Sequence, residues 1–388
     1  MKRFDKKELD AVNDVIKNGD YLSGFTTKFR GGEQVQKFEE EFAKFIGVKH
    51  ALSVNSGTTA LLIAFKTAIQ HGKNIKNSKL SKPDIHIPAY TFTADPATAL
   101  QSGGKIVFED IDKKTFCMNE IKKPMTITVP TYLLGNAPSK INFSNAKFSV
   151  EDCSQALGTK VNGKMVGSFG DMSVFSFQET KHITTLGEGG MICSNNNKLI
   201  EIAAAMRNHA EYYLQKNFLG SNYRLTEVQA AFGRVQLKKA RSIISTFQKN
   251  AKKIIKNLPE GITPPYVAPN VEHSYLMIGC LFDEKIIGTT REKFLKKLTQ
   301  NRKHILAGDE RSDIKGINMK SGKLISPGYT IPLYDIPIFK KFKPKHGCKN
   351  VEEIIKKSIW MDIHRFRSGD EISEEIEILN KTVRECQK

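Results

Sequence analysis

A single lysine, Lys181, lies in an unusual position within the stretch FSFQETKHITTLGEGGMICS (175–194). It follows a short apolar run and precedes a glycine-rich turn, so the pattern places it between two buried strands, whereas lysines usually lie on solvated surfaces. Burial disfavours the charged form of an amine and lowers its pKa, and the neutral form is the nucleophile. Lys181 is therefore a candidate for Schiff-base chemistry, although a lysine in a surface loop would give the same pattern.

Two further motifs place polar residues where predicted strands end. In NSGTT (55–59) a strand is followed by a helix, whose free N–H groups and positive dipole end suit a phosphate. Gly57 allows close backbone approach, and the hydroxyls of Ser56 and Thr58 could add donors. Asp152, in VEDCSQALG, ends another strand and could be a metal ligand, a charge partner or a helix cap. When each motif is considered by itself, helix capping is its simpler explanation.

Together, the three motifs meet the needs of pyridoxal 5′-phosphate. Lys181 would form the Schiff base with its aldehyde. Asp152 would pair with the pyridine nitrogen and keep it protonated, so that the ring withdraws electrons. The turn at Ser56 and Thr58 would hold the phosphate, and Ser176, shortly before the lysine, could add a hydroxyl donor.

The pattern of apolar residues predicts an α/β protein. Helical spacing is found over 33–46, 57–70 and 225–247. Brief β-branched runs, typical of strands buried on both faces, lie at 50–56, 84–90, 105–111, 126–132, 147–153, 171–177 and 190–194. Strands that alternate with helices in this way indicate a mostly parallel sheet of about seven strands with helices on both faces.

A second, smaller domain is predicted at the C-terminal end. The pattern changes near residue 248 and gives a strand at 274–282, a helix at 291–299 and an amphipathic helix at 371–384. We therefore predict a large cofactor-binding domain over 1–246 and a small α+β domain over 247–388.

Composition and charge argue against several classes of protein. The chain has 388 residues and a net charge of +19, but its lysines are spread without a block of like charges, so nucleic-acid binding is not indicated. Six cysteines without C-x-x-C spacing argue against a zinc site or a disulfide framework and favour a reducing compartment. No apolar run approaches the roughly 18 residues that span a bilayer. We expect a cytoplasmic protein with small-molecule partners and without metal, nucleic acid or membrane.

The chain resembles the DegT/StrS-type sugar aminotransferases, which are pyridoxal-phosphate enzymes of fold type I. The resemblance covers most of the chain, through FRGGEQVQKFEEEFAKFIGVKHALSVNSGTTAL, IPAYTFTADPATALQSGGKIVFEDID, VEDCSQALGTKVNGKMVGSFGDMSVFSFQETKHITTLGEGGMI and GSNYRLTEVQAAFGRVQL. It implies that Lys181 is the Schiff-base lysine and that Asp152 is the aspartate at the pyridine nitrogen. Further cofactor contacts are implied at Gly57, Thr58, Phe92, Gln155, Ser176 and Asn222.

The resemblance also gives these positions their roles. Phe92 would pack on the cofactor ring, and Gln155 would lie beside the ring and its 3-hydroxyl. Asn222 would reach the phosphate in a partner subunit, which implies a homodimer with shared sites. Residues that could line the sugar cleft are His209, Arg224, His273, Tyr275 and Tyr334.

The implied reaction moves an amino group from L-glutamate to a nucleotide-linked keto-sugar, for amino-sugar and glycan synthesis. A dehydratase subgroup of the family carries histidine at the lysine position. Here His182 follows Lys181, and the alignment favours lysine in register. Relative to the commonest family pattern, Leu186 is an extra residue after the lysine, and Tyr334 stands where many relatives have histidine. A non-catalytic binding protein with the same fold, and a nucleic-acid-binding protein, remain as alternatives.

Overall fold

The structure is a computed structural model that describes residues 4–19, 21–23, 29–73, 82–210, 218–301, 325–363 and 369–387. Its helices are α1 Lys6–Asn18, α2 Glu33–Ile46, α3 Gly57–Lys73, α4 Ala94–Gln101, α5 Asn197–Arg207, α6 Glu227–Lys256, α7 Glu284–Ile287, α8 Arg291–Asn301, α9 Lys349–Lys357 and α10 Gly369–Cys386. Its strands are β1 His50–Val54, β2 Asp84–Pro88, β3 Lys105–Glu109, β4 Met125–Thr128, β5 Ala146–Asp152, β6 Lys160–Val161, β7 Lys164–Met165, β8 Met172–Ser176, β9 Gly190–Ser194, β10 Ile262–Thr263, β11 Val271–Glu272, β12 Met277–Phe282, β13 Ile325–Ser326 and β14 Ser358–Asp362.

The seven strands predicted before residue 195 form one sheet, in the order β1-β9-β8-β5-β4-β2-β3. Strand β9 is antiparallel to both of its neighbours, and the other pairs in this sheet are parallel. Gly190, which begins β9, pairs with Val54 at the end of β1 and with Ser176 at the end of β8. The predicted mostly parallel, seven-stranded sheet is confirmed.

Helices cover both faces of the sheet, because successive side chains in its strands point in opposite directions. In β8, Val174 packs in the core on the face covered by α3. Its neighbour Phe175 packs on the other face, where its ring centroid lies 5.1 Å from that of Phe42 in α2. Most of the continuous apolar runs in the sequence therefore correspond to strands buried on both faces, as predicted. The exception is the edge strand β3, which alternates between buried and more exposed residues.

The C-terminal part has its own antiparallel sheet, in the order β10-β12-β14-β13. This sheet forms a separate apolar cluster with α8 and α10. Helix α6 is longer than the predicted 225–247 and runs to Lys256, because Ala251 and Ile254 continue its apolar face into that cluster. The proposed domain boundary near 246 falls inside this helix, and the division remains a prediction.

Three further expectations, on membrane helices, metal sites and cysteines, concern the described part of the chain. None of its helices is both long and apolar enough to cross a membrane. Its side chains form no group of three or more His, Cys, Asp or Glu suited to a metal ion. The six cysteines are all free, and five of them are buried.

Candidate active site

Strands β1, β5 and β8 end at the same edge of the central sheet, where ligands of open parallel sheets usually bind. Strand β1 leads through Asn55 and Ser56 into α3, β5 ends at Asp152, and β8 ends at Ser176 shortly before Lys181. The three motifs found in the sequence are thus brought to one side of the sheet.

The turn between β1 and α3, residues 55–59, has the geometry of a capped helix start. The hydroxyl of Ser56 accepts a hydrogen bond from Thr59 N (3.0 Å), and its carbonyl accepts one from Ala60 N (3.0 Å). Gly57 and Thr58 are the first residues of α3, so the helix itself supplies no acceptor for their N–H groups. Ser56 is therefore a helix cap, and the turn still presents N–H groups at a positive helix end, which suits a phosphate.

Gly57 is required in this turn because β8 approaches it closely. A Cβ atom on Gly57 would lie 2.7 Å from the Cβ of Ser176 and 3.1 Å from its hydroxyl. This contact places the hydroxyl of Ser176, a predicted phosphate donor, directly beside the start of α3.

Replacing Gly57 by alanine should destabilise the protein by about 1–3 kcal/mol, because the added methyl group overpacks the contact with Ser176. Urea unfolding followed by circular dichroism measures this change. The double variant Gly57→Ala/Ser176→Gly removes the opposing Cβ and should recover more than half of the loss. A Gly57→Ala protein as stable as the wild type would contradict the close approach of α3 and β8.

Lys181 is held in a tightly bonded loop, residues 177–189, which we call the lysine loop. Phe177 N donates to Gly189 O and Glu179 N donates to Gly187 O, both at 2.8 Å, and Lys181 N donates to Gln178 O (2.9 Å). Burial lowers the pKa of the Lys181 amine, while the negative charges of Asp152 and Glu188 act in the opposite direction.

The residue that seemed extra in this loop, Leu186, lies exposed at its tip with a left-handed backbone (φ 57°). Gly187 follows it, also at positive φ (103°). Whether this loop is one residue longer than in relatives remains a prediction.

Asp152 is 5% exposed at the end of β5, and burial raises the pKa of its carboxyl. Its Oδ1 accepts a hydrogen bond from Ser154 N (2.9 Å), and this bond, the charge of Lys181 and a contact with Asp95 act against the rise. Gln155 lies beside it and accepts a hydrogen bond from Leu134 N (2.8 Å) through Oε1. The charges of Asp152 and Lys181 therefore act on each other, and their roles toward a cofactor remain predictions.

Phe92 and Asn222 lie at the surface of the chain. Phe92 precedes α4 and is 47% exposed. Asn222 is exposed in a segment that adjoins the 55–59 turn, because Asn55 N donates to Tyr223 O (2.9 Å). The same segment carries Arg224, which is partly buried. That Phe92 packs on the cofactor ring, that Asn222 reaches the phosphate and that Arg224 lines the sugar cleft remain predictions.

The candidate sugar-binding residues have mixed surroundings. His209 is exposed with a left-handed backbone (φ 61°). His273 is buried, its ring stacks on that of Tyr275 at 3.8 Å, and burial lowers its pKa to about 3. Tyr334 is buried, and its hydroxyl donates to Glu352 Oε1 (2.8 Å) and accepts from Cys348 N (3.1 Å). Because its hydroxyl already has these two partners, Tyr334 has a structural role, and its role toward a sugar remains a prediction.

Sequence reasoning missed two buried residues at this site. Asp95, in the first turn of α4, contacts Asp152, and an acidic residue there is usually explained by the helix dipole. Tyr329 comes from the C-terminal part of the chain, hydrogen-bonds Gln155, and has its ring centroid 5.4 Å from that of Tyr90. No local spacing in the sequence connects either residue with Asp152.

Comparisons with known proteins agree with this geometry. GDP-perosamine synthase of Vibrio cholerae is 28% identical over 86% of this chain and 85% of its own. An aminotransferase from Psychrobacter cryohalolentis has a TM-score of 0.81 at 21% identity, covering 99% of this chain and 98% of its own. E. coli GDP-4-keto-6-deoxy-D-mannose-3-dehydratase with bound hydrated PLP has a TM-score of 0.80 at 23% identity, covering 98% of both chains. These structures show the type I fold of pyridoxal-phosphate enzymes.

The sequence model of one family, the DegT/DnrJ/EryC1/StrS aminotransferase family, matches residues 2–137 and 147–380. The donor set at the sheet edge fits the cofactor of such enzymes, with an amine of lowered pKa beside a carboxylate and a glycine turn at a helix start. The cofactor is therefore pyridoxal 5′-phosphate, and the chain belongs to the DegT/DnrJ/EryC1/StrS aminotransferase family.

Proposed function

We propose that the protein transfers the amino group of L-glutamate to a keto-sugar carried on a nucleoside diphosphate, and so supplies an amino-sugar for glycan synthesis. The observation that carries this proposal is that Lys181 and Asp152 lie at one edge of the sheet, close enough for their charges to act on each other. A lysine there can serve both as the covalent anchor of the cofactor and as the base that moves the substrate proton.

The position of His182 favours transamination over dehydration. Its ring is buried, its Nε2 lies 3.1 Å from the carbonyl oxygen of Ser274, and its centroid lies 4.9 Å from that of Phe247. These contacts hold the histidine against the start of the C-terminal part, while Lys181 interacts with Asp152. The lysine is therefore the base we assign to the reaction.

The chain's own residues have separate tasks in this reaction. Pyridoxal phosphate, when bound, supplies an aldehyde and an electron-withdrawing ring. Lys181 would hold the aldehyde, and its neutral amine would be the base that takes the proton from the α-carbon of the amino donor. Asp152 would keep a negative charge at the ring nitrogen, and the start of α3 would hold the phosphate.

The proposed sugar substrate rests on the relatives and on charge. The V. cholerae relative is named for GDP-perosamine, an amino-sugar on a nucleotide. A diphosphate is attracted by a chain of net charge +19. Arg224 lies two residues from Asn222, in the segment bonded to the 55–59 turn, and its guanidinium suits a phosphate oxygen. We further propose that the exposed Asn222 serves the site of a second subunit in a homodimer.

The test is an assay with L-glutamate and a panel of GDP- and UDP-linked keto-sugars. We expect formation of 2-oxoglutarate, a sugar product whose mass shows a gained amino group, and parallel double-reciprocal plots from the two half-reactions. A product that has lost a hydroxyl group without gaining nitrogen would assign the dehydratase reaction instead. Bound cofactor without turnover of any sugar would favour a binding protein.

A further inference from the structure

Asp95 and Asp152 form a pair of buried carboxyl groups, one on α4 and one at the end of β5. Asp95 is fully buried (0% exposed), and Asp152 is 5% exposed. Two ionised carboxylates in contact inside a protein repel each other and lack the water that would screen them, so such pairs usually hold one proton between them.

The hydrogen bonds around Asp95 identify where that proton belongs. Its Oδ2 accepts a hydrogen bond from Thr91 Oγ1 (2.7 Å). Its Oδ1 is buried and has no hydrogen-bond partner within normal distance among the described residues; the nearby hydroxyl of Thr131, which also acts on this carboxyl, is likewise buried without a partner. Asp152, by contrast, accepts a hydrogen bond from Ser154 N (2.9 Å). A proton on Oδ1 of Asp95 would give that atom a partner and would leave Asp152 as the anion.

The other titratable groups facing the pair do not remove the need for this proton. Lys181 is the cation that acts on Asp152, but it must be neutral when it attacks the cofactor or removes a proton. Tyr329 also faces both carboxyls, and burial raises the pKa of its hydroxyl, so it stays neutral.

We propose that Asp95 is a protonated carboxylic acid that donates a hydrogen bond from Oδ1 to Asp152 and so fixes Asp152 as the single anion at the cofactor ring. Asp95 is then a positioning residue: it does not contact the reacting atoms but holds the charge and orientation of the residue that does. The proposal rests on the assignment of Asp152 to the ring nitrogen.

Infrared spectroscopy of the holoenzyme tests the protonation state without using activity. The difference spectrum between wild type and Asp95→Asn at pH 8 should show loss of the carbonyl stretch of a protonated carboxylic acid. Loss of a carboxylate stretch would overturn the proposal. Asp171→Asn is the matched reference, because Asp171 is exposed and accepts two hydrogen bonds from Ser149, and it should lose a carboxylate stretch.

A second variant assigns the acid band without altering Asp95 itself. Thr91→Val removes the hydroxyl that donates to Oδ2, so the carbonyl stretch of the Asp95 acid should move to higher frequency. An absent or unmoved acid band in this protein would overturn the proposal even if Asp95→Asn failed to fold.

Cofactor affinity tests the consequence for Asp152. Asp95→Ala removes the donor and should weaken pyridoxal-phosphate binding about tenfold, the effect of one hydrogen bond to a charged group. Asp95→Asn keeps an N–H donor toward Asp152 and an oxygen for Thr91, and should bind about tenfold more tightly than Asp95→Ala. Equal loss in both variants would overturn the proposed donor role. If Asp152→Asn leaves cofactor binding intact, it is the cofactor assignment of Asp152 that fails, while the infrared result still reports on Asp95.

Discussion

Replacing Lys181 by alanine is expected to reduce transamination by about a thousandfold or more, because one side chain supplies both the covalent anchor and the base. The rate of 2-oxoglutarate formation from L-glutamate measures the loss. A small primary amine added to the assay should restore part of the activity, because it can take over the proton transfer that the variant lacks.

A matched control is Lys198→Ala, which removes an exposed lysine near the start of α5 and should leave turnover unchanged. Borohydride reduction of the wild-type holoenzyme gives an independent readout. It should attach the cofactor covalently to the peptide that contains Lys181. Labelling of a different peptide, or more than a tenth of wild-type turnover in Lys181→Ala, would contradict the assignment.

Replacing Asp152 by asparagine is expected to weaken cofactor binding about 10- to 100-fold, the range of a hydrogen bond to a charged group, and to reduce turnover at least about a hundredfold. Asparagine keeps the size of the side chain but cannot carry the negative charge that keeps the ring nitrogen protonated. Equilibrium dialysis of the cofactor and the glutamate half-reaction measure the two effects. Asp171→Asn serves as the control, since that exposed carboxylate lies at the start of β8 and outside the site.

The same variant should change the pH dependence of cofactor attachment. Burial lowers the pKa of Lys181, and the charge of Asp152 partly offsets this, so removing that charge lowers the pKa further. Because the neutral amine attacks the aldehyde, the rate of attachment to the apoenzyme rises with pH through this pKa. The midpoint should therefore move to lower pH in Asp152→Asn, and by less in Glu188→Gln, whose carboxylate is exposed. An unchanged or higher midpoint in Asp152→Asn would contradict the interaction.

Local patterns in the sequence predicted most of the fold. Each strand of the central sheet is a short apolar run between turn residues, and all but the edge strand β3 are buried on both faces over most of their length, which keeps the apolar run continuous. Helix α6 was predicted too short, because the apolar residues near its end, such as Ala251, face a different cluster from those near its start. How far α6 extends toward its C-terminus depends on packing against the C-terminal sheet, which local sequence patterns do not show.

In the candidate site, too, some residues could be predicted from the local sequence and others could not. The 55–59 turn, Asp152 and Lys181 could be predicted because each one adjoins a strand that can be recognised locally. Asp95 and Tyr329 could not, since their importance comes from contacts with Asp152 and Gln155, which are distant in sequence. The buried and hydrogen-bonded state of Tyr334 likewise follows from packing on α9 and its flanking turn, which spacing alone does not reveal.

The antiparallel strand β9 has a consequence for how this enzyme can diversify. Because Gly190 pairs with both Val54 and Ser176, a single short strand fixes the end of β8 beside the end of β1 and so fixes Ser176 relative to the start of α3. The C-terminal segments that carry Tyr329 and Tyr334 lie outside this connection. Those segments can therefore vary during evolution without changing the register that joins β1, β9 and β8.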